Sequence, residues 1–271
     1  MSHVARPIAA VLTSTLALFC IALAPASARS ITLTPFGAGG LGGTLNGQSL
    51  QFGADGSVFE LDAFLHAGAG PALSLGSLPP GGPLDIAFGA SLSADGSDLL
   101  LTYELTNNDV APIAGLSFLS FVDAEIAEPT TSFFNEVATV VGAQAAGQGF
   151  EIDEPGYVFG DIVTNIGAGA LDGTNAVGPG APDDVSMALS FSIGSLDPGD
   201  LARIQIQLSE DGDGLGPLLL VQSDPLAPGT TLTYSGQSRI VRASAPIPEP
   251  GSAVLFVTGA ALLLRRRGGR R

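Results

Sequence analysis

The chain has 271 residues and carries 26 acidic side chains against ten basic ones, all arginine, for a net charge of −16. A chain this acidic repels phosphate, which excludes nucleic acid as a partner. Its one cysteine, Cys20, falls in an apolar leader, so the rest of the chain has no disulfide framework, no thiol nucleophile and no cysteine metal site.

The first segment has the three-part order of a secretory signal. Arg6 supplies the positive start, Ile8 to Leu23 the apolar stretch, and Ala26-Ser27-Ala28 the small-x-small cleavage site. The expected mature start is Arg29, after handling by the Sec machinery and signal peptidase. A lipoprotein reading of Cys20 fails because Phe19, not a small residue, precedes it. Residues 29–245, about 215 of them, suffice for one large β domain or two small ones. All of the acids but Glu249 fall in this body, against only Arg29, Arg203, Arg239 and Arg242. That acidity fits solubility outside the cell, or binding of divalent cations or cationic matrix material.

Ile31 to Phe36 reads as a strand, and Gly37, Gly39 and Gly42 after it match the spacing of a dinucleotide fingerprint. That chemistry needs a helix next, whose N-terminus takes the pyrophosphate. Gly43-Thr44-Leu45-Asn46-Gly47 is turn-rich instead, so a loop is expected. His66 is the only histidine beyond the leader, which excludes a multi-histidine zinc site. Its neighbours, Ala63 to Gly68, form no nucleophile elbow, and a structural or surface role is expected.

Four runs alternate apolar and polar residues with period two: Leu84 to Leu92, Leu99 to Leu105, Val185 to Ile193 and Arg203 to Leu208. This is the pattern of antiparallel strands with one face on a core. Ala94-Asp95-Gly96-Ser97 and Leu196-Asp197-Pro198-Gly199-Asp200 supply turn chemistry between them. With 37 glycines and 19 prolines, no long helix is expected outside the two ends. The expected fold is all-β, an antiparallel sandwich of immunoglobulin-like or jelly-roll-like kind, filling residues 29–245. Leu101 to Asn108 loosely resembles a strand of immunoglobulin-like bacterial surface domains, and the Leu196 to Asp200 turn is similar in kind. Ala67 to Pro83 and Leu171 to Asp184, rich in glycine and proline, are expected as long loops.

Asp211-Gly212-Asp213-Gly214 spaces two carboxylates as a weak calcium candidate, since hard cations take oxygen ligands. It is no EF-hand, because Gln222 stands where that loop needs a bidentate Glu. Asp183-Asp184 and Asp172 are weaker cases of the same kind. Paired carboxylates for glycoside hydrolysis need only spatial proximity. Yet the chain has no Trp and three Tyr with which to stack a sugar. No catalytic residue and no resident cofactor is expected.

The end of the chain has its own order. Pro246-Ile247-Pro248-Glu249-Pro250 is a stiff, non-helical spacer, because each proline fixes φ and lacks an N–H. Gly251 to Leu264 is almost wholly apolar, and Arg265, Arg266, Arg267, Arg270 and Arg271 close the chain. Fourteen apolar residues fall short of the roughly 20 of a spanning helix, and flanking prolines and snorkelling arginines bring the segment to a marginal span. The arginines are expected on the cytoplasmic side.

Pro248-Glu249-Pro250, an apolar segment and an arginine cluster, in that order, resemble the PEP-CTERM sorting signal of Gram-negative bacteria that make extracellular polysaccharide. The resemblance covers residues 246–271 and implies a transient inner-membrane anchor that an exosortase processes before release or transfer to the surface. The expected protein is thus a non-enzymatic surface or matrix component, associated with exopolysaccharide or biofilm. The alternatives are a carbohydrate- or calcium-binding module and, behind those, a secreted hydrolase.

Overall fold

The computed structural model describes residues 57–75, 78, 82–94, 97–126, 131–156 and 158–243. The leader, Ala26 and Ala28, the strand expected at Ile31 to Phe36, the glycines at 37, 39 and 42, and the whole tail from Pro246 lie outside the described residues.

Among the described residues, eleven strands build two antiparallel sheets. The first sheet contains β1 (Ser57–Ala67), β2 (Leu73–Ser74), β5 (Ile113–Glu125), β7 (Gln148–Asp153) and β8 (Ser186–Leu196), in the order β2-β1-β5-β8-β7. The second contains β3 (Leu84–Leu92), β4 (Asp98–Asn107), β6 (Val137–Gly142), β9 (Leu201–Ser209), β10 (Leu218–Ser223) and β11 (Thr231–Val241), in the order β3-β4-β9-β11-β10-β6. The fold is an all-β sandwich, as the alternating runs require.

Period two sets which residues fill it. In β4, Leu99, Leu101, Tyr103 and Leu105 are buried while the residues between them are half-buried. Ala202, Ile204, Ile206 and Leu208 do the same in β9, which pairs with β4 along its length. From the first sheet, Leu61, Leu116, Phe118, Val122, Met187, Leu189 and Phe191 meet them in one apolar cluster. Tyr103 sits between Phe88 and Phe118, with ring centroids 5.0 and 4.9 Å away. Such tilted pairs add about 0.5–1.5 kcal/mol each beyond the area they bury.

The first sheet is also covered on its outer face. A short helix, α1 (Ile162–Ala168), lays Ile162 and Ile166 on Phe64, Leu119, Phe121 and Ala188. Residues four apart share one helix face, which is why this pair suffices. Gly169 ends the helix with φ +73°, and its N–H closes on the Ile166 carbonyl at 2.9 Å.

The turn expected at Leu196 to Asp200 forms with Asp200 N–H on the Asp197 carbonyl at 2.9 Å and φ +80° at Gly199, the residue type that takes this conformation without strain. The segment between Leu171 and Asp184 runs as a loop, pinned by isolated bridges from Asn175 to Ile152 and from Asp183 to Glu136. The expected loop from Ala67 carries the two-residue strand β2. Among the described residues, no helix is long and apolar enough to cross a membrane.

Candidate functional site

Strand register lines carboxylates up across the outer face of the first sheet. On β5, Asp123 and Glu125 continue the row of Leu119 and Phe121, because alternate residues share a face. Glu60 of β1 stands opposite Asp123, Asp123 opposite Ser186 of β8, and Ser186 opposite Asp153 of β7. Glu60, Asp123 and Asp153 are all buried, as is Glu151 on β7. The apolar patch under α1 therefore gives way, along the strands, to a buried acidic one.

At one end of this patch Asp123, Glu125 and Asp184 each offer an oxygen within 4.8 Å of the others. Asp123 is 2 % exposed and its Oδ1 accepts no hydrogen bond. Burial pushes its carboxyl up to about 9, and the neighbouring carboxylates of Asp184, Glu125, Glu60 and Glu136 add to the rise. Asp184 is raised to about 6, by burial and by Asp183 and Glu154.

Glu136, fully buried, shows the contrasting solution. Its Oε1 accepts the Ile126 N–H at 2.9 Å, and its Oε2 accepts from the amide of Gln222, which also donates to the Ala124 carbonyl. Burial still outweighs these bonds and lifts it to about 8. Its backbone carbonyl accepts from Asp183 N–H at 3.0 Å, so the segment bearing Asp184 is tied to it.

A second cluster joins Glu151, Asp161 and Asp172. Here the protein supplies the donors. Asn165 donates to Glu151 Oε1 at 2.9 Å and the Asp172 N–H to Oε2 at 3.2 Å. Desolvation nonetheless pushes Glu151 up to about 7. Asp153, one rung along, accepts the Asp161 N–H at 2.6 Å and so anchors the start of α1.

The third cluster contains the two carboxylates singled out by sequence. Asp211 and Asp213 meet Asp98, at the start of β4, with one oxygen of each within 4.8 Å. Asp211 is already engaged: Ser209 donates to Oδ1 at 2.6 Å, Ser97 to Oδ2 at 3.2 Å, and Asp213 N–H to Oδ1 at 3.3 Å. Asp98 accepts from Gln207 at 3.1 Å. Of the weaker candidates, Asp172 joins the second cluster and Asp184 the first. His66 packs its ring against Gly169 at the end of α1, where a Cβ on Gly169 would come within 2.3 Å of it.

Sequence reasoning placed Asp211 and Asp213 because they are neighbours in the chain. It had no means of joining Asp123 to Asp184, which only the β5–β8 pairing brings together. Neither a comparison with protein-family models nor one with curated proteins finds a match for this chain.

Proposed function

We propose that this chain is a non-enzymatic, exported β-sandwich, carried through the inner membrane by its leader and sorted to the cell surface or extracellular matrix by its tail. The observation that carries the reading is the ordered tail, Pro248-Glu249-Pro250, apolar segment and Arg265-Arg266-Arg267, a few residues behind β11 of the sandwich. An exosortase is the processing partner this order implies, and exopolysaccharide the setting. Replacing Pro248, Glu249 and Pro250 with alanine tests it. Export should persist, since the leader is untouched, but the chain should remain in the inner-membrane fraction. Equal delivery of variant and parent to the surface or medium would leave the tail as a plain anchor.

A calcium-binding module is the second reading, favoured by the meeting of Asp98 with Asp211 and Asp213. Because Asp211 already accepts three protein donors, binding there is weak and does not nucleate the fold. Thermal melts with calcium and with chelator should then differ by only a few degrees in the D123N background, which removes a ligand from the cluster of Asp123, Glu125 and Asp184.

A further inference from the structure

We propose that Asp123, Glu125 and Asp184 hold a calcium ion at the end of β5, a site separate from the Asp98–Asp211–Asp213 loop and independent of how the tail is read. One oxygen of each residue lies within 4.8 Å of the others. Two oxygens on opposite sides of a calcium ion at about 2.4 Å stand about 4.8 Å apart, so oxygens this close are compatible with sharing one ion.

Proximity of acids alone would not make a site, and the second observation is Asp123 itself. It is 2 % exposed, and its Oδ1 has no hydrogen-bond partner. Three buried acids nearby have found donors: Glu136 uses Ile126 and Gln222, Glu151 uses Asn165 and Asp172, and Asp153 uses Asp161. A buried carboxylate oxygen with no donor needs a proton or a cation. The charges that act on Asp123 are four further carboxylates, Asp184, Glu125, Glu60 and Glu136. A proton on Asp123 relieves only that one group. A divalent cation offsets several at once and gives the orphaned oxygen a ligand bond.

The donor chemistry selects the ion. Carboxylate oxygens without imidazole or thiolate disfavour zinc and copper. Magnesium demands near-ideal octahedral geometry at about 2.0–2.1 Å and gives up its water reluctantly, whereas calcium accepts irregular, carboxylate-rich sets. Glu125 and Asp184 are half-buried, which leaves an entry path and room for water ligands. Bound there, the ion would tie the end of β5 to the segment leading into β8 and, through the Asp183–Glu136 backbone bond, to the start of β6.

The test is calorimetric titration of calcium chloride into the full-length chain in mild detergent, stripped with chelator, at neutral pH, with magnesium chloride in parallel. Asp123→Asn and Asp184→Asn should each weaken calcium binding by about tenfold or more, and Asp211→Asn with Asp213→Asn should leave it unchanged. Asn keeps the shape of the buried Asp123 carboxyl and cannot ionise, so the chelated D123N protein should be at least as heat-stable as the parent, and loss of binding is not loss of fold. The half-exposed D184N serves as the check if D123N fails to fold. No calcium heat from the parent at millimolar concentration, undiminished binding in D123N and D184N, or binding abolished only by the change at Asp211 and Asp213 would each overturn the proposal.

Discussion

Arg242 donates its guanidinium to the buried carboxylate of Asp200, which also accepts the Ala243 N–H at 2.8 Å and the Asp197 N–H at 3.0 Å. Asp200 thus closes its own turn and clips the chain just past β11 to the base of β9. The first two bonds, with Ala243 and then Arg242, hold its carboxyl below the usual aspartate value.

Asp200→Asn should therefore lower the melting temperature and raise amide exchange at Val241 to Ala243. The sign with pH follows from linkage. A carboxyl whose folded value is depressed contributes its full stability above the unfolded value of 3.8 and loses it as pH falls through the folded one. The gap between parent and variant melts should be constant near neutrality and close in strong acid. A gap that persists in acid would mean that the bonds, not the charge, carry the effect.

Four strands were readable because small or polar residues alternate with large apolar ones in each, even in β8, where Ser186 and Ala188 are buried. Leu84 to Leu92 is β3 to the residue, and the runs at Leu99, Val185 and Arg203 fall within a few residues of β4, β8 and β9. β5 hides because α1 covers its outer face: Phe118 to Ala124 are all buried, so nothing alternates. β1 also alternates, Leu61, Ala63 and Leu65 against Glu60, Asp62 and His66, but Phe64 interrupts the polar row, and Glu60 and Asp62 are buried rather than wet. The signals for α1 were present, with Asp161 ahead of it, Ile162 and Ile166 four apart, and Gly169 behind, but seven residues make a weak helical pattern. The acidic patch was unreadable in principle, because its members come from β1, β5, β7 and the segment before β8.

Gly169→Ala should be among the costlier single changes in the protein. Its φ of +73° disfavours any side chain, and the added Cβ would meet the His66 ring at 2.3 Å. We expect a loss of about 1–3 kcal/mol, from left-handed strain plus displacement of the ring. Denaturant titration measures it, and pairing G169A with His66→Ala should recover the part owed to the ring. No recovery would assign the whole cost to the backbone.

Glu151 sets a second pH dependence, of opposite sense. Its carboxyl rises from 4.5 to about 7, first through desolvation and then through Asp172 and Asp161, against the hydrogen bonds from Asn165 and Asp172. Between those two values the folded chain holds a proton that the unfolded chain has released, so stability falls as pH rises across the window and levels off above it. Glu151→Gln should flatten this part of the profile, matching the parent most closely near the acid end and gaining on it toward pH 8. Parallel profiles for parent and variant would show that Glu151 does not titrate there.

The two segments whose sequence resembles immunoglobulin-like surface domains meet at one side chain. Asn107, at the end of β4 and fully buried, donates its amide to the Leu196 carbonyl at 2.8 Å and the Ala111 carbonyl at 2.9 Å, and its Oδ1 accepts the Asp109 N–H at 2.8 Å. Its backbone N–H meets the Asp200 carbonyl at 3.0 Å and its carbonyl the Gly199 N–H at 2.8 Å. One side chain therefore shapes the β4–β5 turn and locks it to the β8–β9 turn, joining the two sheets at that end. Asn107→Ala leaves the Leu196 carbonyl buried without its donor, and each such orphan costs about 1–3 kcal/mol. Asn107→Asp is the sharper test. It keeps the shape and the acceptor for Asp109 N–H, but it sets a carboxylate against two carbonyl oxygens where the amide had donated. Asp should therefore be worse than Ala near neutrality and recover in acid, as protonation restores one donor. An Asp variant as stable as the parent at neutral pH would mean that the packing of the two turns, not this amide, holds that end of the sandwich together.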